Sequence, residues 1–251
     1  MADVLAVVHV YPELLGTYGD RGNVQALTHR ALARGVRCEV VEVGLDDPLP
    51  RQGDVYVVGG GEDAAQLLAA RALLADDLAA AVLGAHPCLA VCAGLQLLSH
   101  GFEDGHGVRH RGLGLLDVEC GRLERRAVGE VVTEPVADCA VPTLTGFENH
   151  LGTAVLSGGA RPLGRLVAGV GNGDGRSEGA TQGNVVATYL HGPVLVRNPA
   201  LADLLLTRAA GPLPDYEDAD VEQLRTERLD DADPRRNRAR RLLSGWPPAA
   251  T

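Results

Sequence analysis

The stretch Cys88-Leu-Ala-Val-Cys92-Ala-Gly94-Leu-Gln96-Leu-Leu98 decides how the rest of the chain is read. Residues 88–91 run apolar without a polar break, as in a strand buried on both faces, and a helical pattern starts at Cys92. Small residues stand two positions either side of that cysteine, Ala90 and Gly94. A tight strand-to-helix turn needs them, because the backbone folds back on itself there and pushes the intervening side chain outward. The pattern is the sulfur form of a nucleophile elbow. At a helix start, free N–H groups and the helix dipole favour a thiolate, so a lowered thiol pKa is expected at Cys92. Cys38, Cys88, Cys120 and Cys139 carry no such context and read as small core residues.

Outward from this segment, strands and helices alternate. Residues 4–10 and 36–43 read as strands, with a helix over 23–34 between them that stops at Gly35. A third strand over 54–58 ends in Gly59-Gly60-Gly61, and an Ala- and Leu-rich helix is predicted over 62–83. This alternation predicts an α/β fold with a mostly parallel sheet covered on both faces. Residues 113–134 and 143–155 change character and predict short antiparallel strands. A last strand over 185–190 runs into His191-Gly-Pro193, followed by a helix over 199–209. Residues 1–210 form one domain. Residues 211–251 are a polar extension, helical or partly disordered, with five arginines from Arg235 to Arg241 that suit a solvated end or a docking segment.

Composition excludes several function classes. The 251 residues carry a net charge of −10, and every one of the 23 basic residues is arginine. Without lysine there is no Walker-type phosphate loop, Schiff-base lysine or kinase lysine, so any ATP chemistry belongs on another chain. Aromatics at 3% and an acidic balance argue against a nucleic-acid surface. Residues 78–102 hold no charge and are long enough to cross a bilayer, but His86-Pro87, Gly94, Gln96 and His100 interrupt them, so no membrane insertion is expected. The start Met-Ala-Asp lacks a signal-peptide pattern and the five cysteines form no C-x-x-C pair; a reducing, cytoplasmic location is expected.

In a parallel sheet the turns at Gly59–Gly61 and Cys92 share the carboxyl edge, where active sites of open α/β sheets form. Backbone N–H groups of Gly60 or Gly61, with that of Ala93, are candidate oxyanion donors, each worth roughly 3–4 kcal/mol. A thiol nucleophile needs a base. Of eight histidines, His191 is best placed because it also ends a late apolar strand, and His150 is its rival. His100, His106 and His110 lack the accompanying Cys or carboxylate spacing of a metal site, and no metal is expected.

The elbow, the glycine turn and the late His191 resemble class I, triad-type glutamine amidotransferases. Tyr18-Gly-Asp-Arg-Gly-Asn23, Gly146-Phe-Glu-Asn-His150, Gly169-Val-Gly-Asn172 and Thr188-Tyr-Leu-His-Gly-Pro193 narrow the resemblance. They resemble the cobyric-acid-synthase-like branch, and within it the glutaminase subunits of lipid II isoglutaminyl synthases, over about residues 4–210. The resemblance implies a flavodoxin-like fold with a few added antiparallel strands. It implies that Cys92 attacks the side-chain amide of L-glutamine, with His191 as acid and base through a γ-glutamyl thioester. Gln96 and Arg126 then match positions that hold glutamine, and a carboxylate-bearing amino acid suits the fork of an arginine. It further implies a heterodimer with a Mur-ligase-like synthetase carrying ATP and Mg, which amidates D-glutamate of lipid II to D-isoglutamine for peptidoglycan synthesis. An amidotransferase subunit for a corrinoid-type synthetase and a non-catalytic scaffold subunit are the alternatives.

Three positions depart from the family pattern. Triad-type members commonly carry His-x-Glu, yet Pro193 stands two residues after His191. The orienting acid then comes from elsewhere in this chain or from the synthetase. Loss of such an acid lowers turnover by as much as ~10⁴ in a serine triad, so weak glutaminase activity is expected of the chain alone. Ala93 and Leu151 replace frequent glycines without removing a reacting atom.

Overall fold

The computed structural model describes residues 4–236 apart from 18, 138 and 140. The first half alternates as the sequence predicts: β1 (Leu5–Val10), α1 (Arg21–Ala33), β2 (Cys38–Val43), β3 (Val55–Val58), α2 (Asp63–Ala75), α3 (Ala79–Ala85), β4 (Cys88–Val91) and α4 (Ala93–Leu98). Strands then dominate, with β5 (Gly101–Glu103), β6 (Arg109–Arg111), β7 (Val118–Glu119), β8 (Arg122–Glu134), β9 (Thr145–Gly152) and β10 (Val155–Leu156). They continue as β11 (Gly164–Ala168), β12 (Ser177–Glu178), β13 (Ala180–Gln182) and β14 (Val185–Thr188). Three helices follow, α5 (Val194–Arg197), α6 (Pro199–Ala210) and α7 (Ala219–Ala232).

The central sheet has the order β13-β14-β4-β3-β1-β2, and every pairing except β13 with β14 is parallel. Its parallel strands, counted along the chain, stand in the order 2-1-3-4-5, the flavodoxin-like arrangement. Residues of β3, β4 and β14 are all buried, which is why their sequences are unbroken apolar runs rather than alternating ones. Truncating Leu89 at the middle of β4 would cost roughly 2–5 kcal/mol by this burial. Two further sheets, β10-β7-β5-β6 and β12-β11-β8-β9, supply the added strands, antiparallel except where β5 meets β7. The β8–β9 hairpin reaches back to the central sheet, because Phe147 and His191 exchange backbone hydrogen bonds of 3.2 and 2.8 Å.

Two expectations need correction. The helix over 62–83 is two helices, because Asp76 leaves helical geometry and its carboxylate accepts the Leu78 N–H at 2.9 Å. A local side-chain bond of this kind competes with the helical ladder, and no Gly or Pro announces it. The short strands expected up to residue 134 include one strand of 13 residues, β8, paired with β9 across a register shift. Within the polar extension, α7 forms. Asp218 caps it by accepting the Val221 N–H at 3.2 Å, and Leu229 is buried where the helix packs on β8 and β9. Arg238, Arg240 and Arg241 of the arginine-rich tail lie outside the described residues. No helix among the described residues is long and apolar enough to cross a membrane.

Candidate active site

Cys92 sits at φ +53°, ψ −103°, one of two non-glycine residues with positive φ among those described. A non-glycine residue there is strained, and such strain persists only where surrounding structure enforces it. The enforcing contacts are visible. A Cβ added to Gly94 would stand 2.3 Å from the Val58 carbonyl oxygen, so the chain after the cysteine lies directly on the end of β3. The Gly94 N–H donates to the Gly59 carbonyl at 3.1 Å, and the Cys92 N–H donates to Thr188 at 2.8 Å. Both neighbouring strands therefore hold the elbow.

β14 lies beside β4 in parallel register, with Thr188 opposite Val91, which brings His191 to the edge where Cys92 projects. Between them is Gly60. A Cβ there would meet the His191 Cε1 at 3.0 Å and the Cys92 Cβ at 3.4 Å. The Gly60 N–H, however, donates to Asp20 Oδ2 at 2.8 Å. As an oxyanion donor Gly60 is thus corrected to a spacer between nucleophile and base, leaving the Gly61 and Ala93 N–H groups as candidates.

A cavity of about 300 Å³ opens over this edge, sized for an amino acid. Cys92, Ala93, Gln96, Gly61 and Arg126, all singled out from the sequence, line it together. Arg126 reaches it from β8, its guanidinium donating to Asn149 Oδ1 at 2.9 Å. Gln96 is buried one turn into α4, where its Oε1 accepts from Gln66 Nε2 at 2.6 Å. Gln66, Arg122 and Asn149 also line the cavity, and sequence reading missed all three. Asn149 lies within the Gly-Phe-Glu-Asn-His motif, which was a signal. Gln66 carried none beyond a polar residue on an apolar helix.

The electrostatics overturn one expectation. Burial pushes the Cys92 thiol up to about 12, and the negative Asp20 adds to that. The short α4 and the Ala93 N–H do not compensate. Burial also drives the His191 imidazole down to about 4, helped by His150. At neutral pH the pair is a neutral thiol beside a neutral imidazole, not the thiolate that the helix start suggested.

His150 lines the same cavity, but its ring is stacked on Tyr189 at 4.0 Å and its Nδ1 faces the Gly152 carbonyl at 2.9 Å. Glu148 stands 3.5 Å from its Nε2. Burial works to raise the Glu148 carboxyl, yet bonds from His150, Gly171 and Val170 outweigh it and hold it below the usual range. This packing suits a wall better than a mobile base. His110 pairs with Asp104 at 2.8 Å and His100 with Asp117 at 3.3 Å, and no group of metal-ligating residues occurs among the described residues.

Residues 6–199 match the CobB/CobQ-like glutamine amidotransferase domain, and the chain belongs to that family. It is an enzyme domain that takes its nitrogen from glutamine. Among curated relatives it is 34% identical over 209 residues to subunit GatD of the glutamine-hydrolyzing lipid II isoglutaminyl synthase of Staphylococcus aureus (strain N315), covering 82% of this chain and 84% of that one. The GatD subunit of Streptococcus pneumoniae (strain ATCC BAA-255 / R6) is also 34% identical, over 231 residues and 85% and 86% of the two chains. A cobyric acid synthase of Methylobacterium nodulans is 36% identical over 167 residues, 63% of this chain but 32% of its own. A solved glutamine amidotransferase superposes with a TM-score of 0.54 at 19% identity, covering 80% of this chain and 98% of its own, which agrees in fold.

Proposed function

We propose that this chain is the glutaminase subunit of a two-subunit amidating ligase. Cys92 attacks the side-chain carboxamide carbon of L-glutamine as its proton passes to His191. The oxyanion of the tetrahedral intermediate turns toward the Gly61 and Ala93 N–H groups. His191 returns the proton to the nitrogen, the C–N bond breaks, and ammonia departs from a γ-glutamyl thioester on Cys92. Water, giving a proton to His191, cleaves the thioester to glutamate and free thiol. Arg126 forks the α-carboxylate, and Gln96, fixed by Gln66, holds the glutamine backbone. The observation that carries this reading is the meeting of Cys92, at its strained elbow, and Arg126 in one amino-acid-sized cavity beside His191.

The ammonia would pass to a Mur-ligase-like, ATP- and Mg-dependent synthetase that amidates the α-carboxyl of D-glutamate in the lipid II stem peptide, in the cytoplasm. Near-full-length similarity to the two GatD subunits supports this acceptor. The cobyric acid synthase relatives support a corrinoid-type partner as the second reading, but they extend far beyond the matched region. The acid that orients His191 comes from elsewhere in this chain or from the synthetase, and a supply from the synthetase makes hydrolysis depend on the complex. Pro193 occupies the usual acid position, and the buried carboxylates of Asp20, Glu148 and Glu178 each accept backbone N–H groups. Co-purification with the synthetase, followed by glutamine hydrolysis with and without it, tests the reading. Hydrolysis that rises at least tenfold in the complex is expected, and hydrolysis absent from both would refute it.

A further inference from the structure

Asp20, Gly22 and Asn23 belong to a motif that the reaction above leaves unused, although Asp20 and Asn23 are almost fully buried. Asp20 occupies the N-cap position of α1, where an aspartate ordinarily accepts an N–H of its own helix. It makes no such bond. Its Oδ2 accepts the Gly60 N–H at 2.8 Å, and its Oδ1 accepts from Asn23 Nδ2 at 3.1 Å. Asn23 Oδ1 in turn accepts the Leu195 N–H at 2.9 Å, in the helix that follows His191-Gly-Pro193. Gly22 completes the seam, since a Cβ there would stand 2.2 Å from Pro193 Cγ.

We propose that Asp20 and Asn23 are positioning residues that fasten the Gly59–Gly61 turn to the His191 turn through one buried hydrogen-bond chain, Gly60–Asp20–Asn23–Leu195. Cys92 rests against the first turn and His191 ends in the second, so the chain sets the separation between nucleophile and base. Pro193, two residues after His191, is used as packing in this seam. Burial raises Asp20 to about 6, a cost that helix capping alone would not require. Misplacement by about 1 Å in such a site can cost 10²-fold in rate.

The polarity of the chain provides the test, which rests on the glutaminase reading. With the synthetase-bound full chain, glutamine hydrolysis is measured for Asp20→Asn, Asn23→Asp and the double exchange. Each single change sets donor against donor or carboxylate against carboxylate. The double exchange restores the pattern, since an amide at 20 can accept from Gly60 and donate to a carboxylate at 23 that still accepts from Leu195. Each single variant is expected to lose at least about tenfold in kcat with KM within about twofold, and the double exchange to return within about threefold of the parent. Unchanged kcat in both single variants, or a folded double variant as impaired as the worse single one, would overturn the proposal. If Asn23→Asp does not fold, Asp20→Asn and the double exchange decide. If the parent complex itself hydrolyses no glutamine, the glutaminase reading fails instead. The chain is then judged by hydrogen exchange at the Gly60 and Leu195 amides, where protection must fall in Asp20→Asn and recover in the double exchange.

Discussion

The Arg126 guanidinium and the Asn149 side-chain oxygen meet at 2.9 Å across the β8–β9 hairpin, making one polar wall of the cavity that Cys92 lines. A hydrogen bond to a charged group contributes about 1.5–3 kcal/mol. Arg126→Ala is therefore expected to raise the KM for glutamine roughly 10- to 100-fold with a smaller change in kcat. Asn149→Ala, which frees the guanidinium without removing it, should raise KM by less. Steady-state kinetics of the complex decide this, and an unchanged KM in Arg126→Ala would remove that residue from the substrate site.

Burial holds the Cys92 thiol near 12, so little thiolate exists at neutral pH in the chain by itself. Alkylation of Cys92 by iodoacetamide, read by peptide mass, is expected to climb steadily with pH through 9 without a plateau. A plateau with an inflection between pH 5 and 8 would indicate an ion pair already formed without the synthetase.

Glu178 is fully buried behind Thr188 and Tyr189, and burial lifts its carboxyl to about 7 from an ordinary value of 4.5. The folded state thus binds this proton more tightly than the unfolded state. Its contribution is fully present below about pH 4.5 and is lost as pH rises toward 7. The loss is on the order of 3 kcal/mol. Glu178→Gln should flatten this part of the stability profile in urea titrations between pH 4.5 and 8. An unchanged slope would show that Glu178 titrates normally.

Gly94 meets the Val58 carbonyl so closely that even one methyl group forces backbone to move. Gly94→Ala is expected to lower stability by about 1–3 kcal/mol and to abolish hydrolysis, because the displaced element carries Cys92. Thermal unfolding and glutamine turnover check both halves; a variant with the parent's midpoint would mean that the elbow has slack.

The parts of the site visible in the sequence are those encoded by a few neighbouring residues. Cys92 between Ala90 and Gly94, and His191 after an apolar strand, announce their own geometry, and the parallel sheet then brings them together. Asp20 and Gly60 are 40 residues apart, and Asn23 and Leu195 are 172 apart, so no local pattern connects them. The break after Ala75 escaped for another reason: Asp76 interrupts a composition that favours helix on both sides. The thiol pKa is not legible locally, because helix-start chemistry is set by neighbouring residues, whereas the burial that outweighs it comes with packing against segments distant in sequence, among them the Gly59–Gly61 turn and β14.

In the proposed division of labour, Cys92 releases ammonia from glutamine for a second subunit to use. Amidation of lipid II by the complex of Cys92→Ser chain and synthetase, supplied in parallel with glutamine or with ammonium, tests it most directly. Glutamine-dependent amidation is expected to vanish while ammonium-dependent amidation stays near the parent level. Retained glutamine-dependent amidation in that variant would contradict it.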